Sequence, residues 1–161
     1  MKTKIILTIF FISFILTKVF SFNPEPVLES NWQGQCKQYT DFFQAGYVIL
    51  YYDMYNVDYN SYTQSISGKL KSTIKIDGIT YTSICNITGT YNSSDFEVKI
   101  NPGTIINEDA LPYNLYWIYS SIRTTLYTDQ ENNNYYLLQG YTLDANGYNV
   151  SQIEFSNNPN Y

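Results

Sequence analysis

The chain contains no histidine and only two cysteines in 161 residues. Without imidazole, the commonest general base, proton shuttle and metal ligand is missing. Neither a Ser-His-Asp nor a Cys-His constellation can be assembled. Basic residues are scarce as well: nine Lys and Arg stand against 14 Asp and Glu, a formal net charge of −5. An acidic surface repels polyanions, which argues against nucleic acid, heparin-like sugars and anionic lipid heads as partners. Amphipathic helical periodicity is absent. Beyond the first 21 residues, no stretch approaches the ~18 apolar residues of a membrane span.

The chain begins as an exported protein does. Met-Lys-Thr-Lys is a short basic n-region, Ile5 to Leu16 an apolar h-region, and Val19-Phe20-Ser21 a cleavage site. Residues 1–21 are therefore read as a secretory signal peptide, with cleavage after Ser21 and residues 22–161 as a single all-β domain. The expected product is secreted and extracellular, with no stable membrane insertion after cleavage. The leader removes Lys2, Lys4 and Lys18, so six cations remain against 14 carboxylates, a net charge of −8.

In an oxidising compartment Cys36 and Cys85 are expected to form a disulfide closing a loop of 49 residues. Such a bridge contributes about 4 kcal/mol in the chain-entropy model. Free thiols or pairing between chains are the alternatives. Three sequons, at Asn86, Asn92 and Asn149, are expected glycosylation sites and so predict exposed positions. Tyrosine (18) and asparagine (17) are abundant. Their codons are A/T-rich, so composition alone carries little functional meaning, although Tyr suits half-buried strands.

Short runs rich in Tyr, Ile, Val and Thr, broken by Gly, Asn, Asp and Pro, predict strands. They fall near 32–40, 47–56, 61–67, 69–76, 79–90, 95–101, 115–128, 134–143 and 148–155. A helical turn is conceivable only at Tyr39–Ala45. Residues 101–114 read as the longest irregular connection, because two prolines disfavour a central strand. Asp77-Gly78 is a two-residue hairpin signal. It sets Ile76 opposite Ile79, Ile74 opposite Tyr81, Ser72 opposite Ser83 and Leu70 opposite Cys85, all on one face. The Asn86 sequon then falls on the other, polar face, and Cys85 points inward. By the same alternation Trp32, Gly34 and Cys36 share a face, which the expected bridge makes the core face. Asp144 to Gly147 marks another hairpin. Many strands with short turns predict an all-β fold, an antiparallel up-and-down β-barrel of about eight to nine strands, with a β-sandwich as the alternative.

Ser30-Asn31-Trp32, followed by Gly34, resembles the Gly-x-Trp stretch that opens the first strand in the lipocalin-like (calycin) group of β-barrels. Ser30 stands where that group has its first glycine. The resemblance implies an eight-stranded barrel wide enough for one small apolar ligand. It also implies that Trp32 packs at the closed end beneath an arginine from a late strand, for which Arg123 is the candidate. The inward residues Ile74, Ile76, Ile79, Tyr81, Ile118, Ile122 and Leu138 are then candidate ligand-binding positions, with ordinary core packing as the plainer role.

The remaining chemistry is carboxylate chemistry. Asp95 and Glu97 share a strand face about 7 Å apart, a spacing open to a glycosidase pair, with a solvated edge face beside the Asn92 sequon as the preferred reading. Glu108-Asp109 reads as a charged loop. "DQENNN" (129–134) and "DANGYN" (144–149) offer oxygen ligands without a calcium-loop spacing, so no metal is assigned. Along 115–127, Trp117, Tyr119, Arg123 and Tyr127 share one parity, and Ile118, Ile122 and Leu126 the other. If the isoleucines face inward, an outward aromatic stripe could meet a sugar or a protein. That placement of Arg123 excludes the barrel-floor placement.

The expectation is a secreted, glycosylated, non-catalytic β-barrel without cofactor that binds a small apolar molecule. The alternative is an adhesion or carbohydrate-binding β-sandwich that recognises an extracellular glycan or protein through the Trp117 stripe.

Overall fold

In the computed structural model, which describes residues 23–39, 46–131 and 134–160, eight antiparallel strands close into a barrel in sequence order. A single helical turn, α1 (Glu25–Leu28), precedes β1 (Trp32–Tyr39), β2 (Tyr47–Asn60), β3 (Ser65–Ile76) and β4 (Ile79–Asn92). β5 (Glu97–Glu108), β6 (Ser121–Thr128), β7 (Tyr136–Leu143) and β8 (Asn149–Ser156) complete the wall. β8 pairs back onto β1 through Gly34–Phe155 and Cys36–Ile153. Closure removes the two-sheet arrangement of a sandwich. The expected leader and the Tyr39–Ala45 turn lie outside the described residues, Tyr39 apart.

The central hairpin has the predicted register: Ile76–Ile79, Ile74–Tyr81, Ser72–Ser83 and Leu70–Cys85 are partners. Asp77 and Gly78 both take positive φ, 51° and 83°, as a twist-matched two-residue turn requires. Cys85 is buried and Asn86 exposed, so the pleat sorts the faces as alternation demands.

Three segments differ from expectation, each for a local reason. The predicted strands at 61–67 and 69–76 are one strand, β3. Gly68 is not a break. β2 bulges between Tyr55 and Asp58, and a Cβ on Gly68 would lie 3.2 Å from the Val57 Cα, so glycine admits the bulge. The segment expected to be irregular after Asn101 continues β5 to Glu108. Pro102 is tolerated because β5 pairs with β6 only over Glu97–Ile100, which leaves its later half an edge. Finally, residues 115–120, read as strand, are irregular. β5 has already parted from β6, so no ladder is there to receive them. α1 escaped notice because four residues are too few to show helical periodicity.

Trp32 is 1 % exposed and, with Val27, Leu28, Tyr59 and Tyr91, plugs one end of the barrel. Its indole N–H donates to the Leu28 carbonyl at 3.5 Å, and Tyr59 meets Tyr91 edge-on at 6.0 Å. Arg123 does not lie beneath it. That side chain is exposed on the outer face of β6, with its Nε 3.1 Å from the Glu97 carboxylate. The floor is apolar, closed by the helical turn instead of a cation. Among the described residues, no helix is long and apolar enough to cross a membrane.

Candidate functional site

The other end of the barrel carries the turns at 77–78 and 144–148 and the connection 109–120. Here β5 has separated from β6, and the connection crosses back toward the β3–β4 hairpin. Three attachments hold it there. The Asp109 carboxylate accepts the Thr82 backbone N–H at 2.8 Å and its hydroxyl at 3.0 Å. The Tyr113 hydroxyl donates to Asp77 at 2.5 Å. The Tyr119 hydroxyl lies 2.6 Å from Ser83 Oγ and also donates to the Glu108 carboxylate. Within the segment, the Trp117 N–H donates to the Asp109 carbonyl at 2.8 Å. Tyr113 and Asn114 both take φ near 59°, a left-handed pair that turns the chain back on itself.

Beneath this cover is a cavity of about 210 Å³. Its wall side is the inward parity of the first three strands: Gln38, then Val48, Leu50 and Tyr52, then Ser72 and Ile74. Its roof is Leu111 with Leu115 to Tyr119. Tyr52 stands at the inner limit, its ring 6.1 Å from that of Phe155. Gly34, registered with both residues, leaves the space, since a Cβ there would come within 2.5 Å of the Phe155 ring.

The cavity is electrically neutral among its described lining residues. No lysine, arginine or carboxylate lines it. Burial raises the Tyr52 hydroxyl pKa strongly, helped by the nearby Cys36 and Cys85 thiols. Tyr119 is pushed up to about 12, first by burial and then by its bond to Glu108, with Ser83 opposing. Both phenols are protonated at neutral pH.

The candidate ligand positions separate into three groups. Ile74 lines the wall and Ile118 the roof. Ile76, Ile122 and Leu138 are buried in packed interior. Ile79 is 57 % exposed at the tip of the hairpin, and Tyr81 is partly exposed beside it. The roof residues other than Ile118, with Leu50, Tyr52 and Ser72, are not among the candidate ligand positions. In "YVILYYDMY" (47–55) both faces are apolar or aromatic but for Asp53, so alternation carries little inward signal there.

The proposed aromatic stripe is divided. Trp117 and Tyr119 belong to the irregular cover and line the cavity. Arg123 and Tyr127 are exposed on β6. Asn86, Asn92 and Asn149 are all exposed. The expected Cys36–Cys85 bridge is not formed: both are buried free thiols. β2 and β3 stand between their strands, three spacings of about 4.8 Å around the wall. A disulfide needs Cα atoms within about 7 Å.

Glu97 is engaged by Lys99 at 2.8 Å as well as by Arg123, and its backbone N–H donates to Asp95. These contacts account for the pair as surface structure. Asp144 organises its turn by accepting the Asn146 and Tyr148 N–H groups. Part of the 129–134 loop lies outside the described residues. A comparison with protein-family models finds no match for the chain, and neither does a comparison with curated proteins.

Proposed function

We propose that this is a secreted, glycosylated, non-catalytic barrel that binds a small apolar ligand in the cavity between Tyr52 and the 109–120 cover. The observation that carries the reading is the unfilled mouth: one end is packed solid around Trp32, while the other holds a cavity of about 210 Å³. Apolar cavities are ready sites for apolar guests, and one of roughly 150 Å³ accommodates benzene. The basic n-region and apolar run at the start of the chain support export. The exposure of all three sequon asparagines suits glycan addition. Lack of histidine supports a binding role over catalysis. The acidic balance favours a neutral small-molecule partner over nucleic acid.

The alternative, an adhesion module reading glycans through Trp117, has less support. The indole is turned toward the cavity and its N–H is already bonded to Asp109.

The test is native mass spectrometry of the secreted protein, paired with titration by single-ring aromatic compounds followed by Trp117 fluorescence. A carried small molecule, or saturable binding weakened by Leu50→Trp, is expected. Absence of both would overturn the reading. Mobility unchanged by endoglycosidase would remove the glycosylation.

A further inference from the structure

Tyr52 and Ser72 are register partners across β2 and β3, so their side chains leave neighbouring strands on the same inward face, Cβ atoms roughly 5 Å apart. Both line the cavity. Among the described residues, neither hydroxyl has a hydrogen-bond partner. The other cavity phenol differs: the Tyr119 hydroxyl is occupied by Ser83 and Glu108. Both side chains thus present a hydroxyl to a mostly apolar chamber, in which the Gln38 amide is a further polar group. Neither is a sealed orphan: among the described residues the one buried side-chain polar atom without a partner is the Tyr91 hydroxyl, so these two are open to the cavity and can meet a guest.

Building on the ligand-binding reading above, we infer that Tyr52 and Ser72 form a polar recognition point for a neutral, single-ring ligand bearing one hydroxyl or carbonyl group. Each side-chain hydroxyl can donate one hydrogen bond and accept others, so together they serve either kind of group. The ring lies against Leu50, Ile74 and Trp117. Size sets the upper limit, since about 210 Å³ exceeds a benzene-sized chamber of roughly 150 Å³ by only a few substituent atoms. Charge sets the class. With no ionic partner among the described lining residues, an ionised ligand would lose its hydration without compensation.

The probes are 4-methylphenol, toluene and 4-methylbenzoate, near-equal in shape, titrated calorimetrically into the full secreted chain. 4-Methylphenol is expected to bind about 5- to 10-fold more tightly than toluene, the worth of one net hydrogen bond, and 4-methylbenzoate more weakly than either. Tyr52→Phe and, separately, Ser72→Ala should each shrink the phenol-to-toluene ratio toward one. Equal binding of phenol and toluene by the unaltered protein, or a ratio that survives both substitutions, overturns the polar recognition point but leaves the cavity reading standing. Preferential binding of the benzoate overturns the neutral class. Failure of all three probes to bind overturns the cavity reading itself.

Discussion

Asp109 and Thr82 are joined three times: the carboxylate accepts the Thr82 N–H and hydroxyl, and the Asp109 N–H returns to the Thr82 carbonyl at 2.9 Å. This clasp fixes where the cover leaves β5, and so fixes the roof of the cavity.

Asp109→Ala removes two of those bonds. A loss of about 1–2 kcal/mol in stability is expected, in line with partly exposed bonds to a charged acceptor. Ligand release should accelerate more than global unfolding does, because the cover is released first. Stopped-flow dissociation alongside urea denaturation separates the two, and an unchanged off-rate would show that the clasp does not hold the roof.

The two cysteines should behave as inert thiols. Burial raises both, with a Ser151 contact opposing at Cys36 and a Gly103 contact opposing at Cys85. A buried thiol is little ionised and reacts slowly. Native protein should take up label slowly and denatured protein should take up two equivalents. Intact mass should not change on reduction; an unreduced mass two hydrogens lighter would restore the bridge.

Alkaline pH should loosen the mouth. Tyr119 is held up to about 12 and Tyr52 is raised as well, against an ordinary 10.0. Raised acids keep their protons in the folded state after the unfolded chain has lost them. The stability they contribute is thus complete below about pH 10 and is lost as pH rises through 10 to 12. The thiols add the same trend from their ordinary 9.0 upward. Urea midpoints measured across this range should fall, less steeply in Tyr119→Phe. A midpoint that climbs instead would show that burial does not govern these groups.

Trp32 and Arg123 should differ sharply in weight. Trp32→Ala empties the floor of the barrel and should cost about 3–5 kcal/mol. Arg123→Ala removes an exposed ion pair with Glu97 and should cost under about 1 kcal/mol. Thermal denaturation of the two variants distinguishes this floor from one braced by a cation, in which the losses would be comparable.

Where side-chain alternation was one-sided, the fold was legible. Between Leu70 and Cys85 a polar and an apolar face separate cleanly, and Asp77-Gly78 permits only a tight turn, so partners could be assigned residue by residue. Gly68 and Pro102 misled, because each answers to a neighbouring strand: Gly68 to the β2 bulge, Pro102 to the early departure of β6. The site was less legible still. Parity marks Ile74 and Ile118 as inward, whereas Tyr52 lies in a stretch apolar on both faces but for Asp53, and Trp117 carries a strand pattern although it folds into the cover.

Local physics is enough to determine the hairpin, that Trp32, Gly34 and Cys36 share one face, and the predominance of β structure. These rest on period-two alternation and turn stereochemistry, both properties of adjacent residues. Tertiary structure alone decided that the sheet closes, that Cys36 and Cys85 are kept apart, that Arg123 faces outward, and that residues 109–120 fold over the mouth. Each depends on which distant strands become neighbours. That choice is made by burial summed over the whole barrel, and no short window of residues contains it.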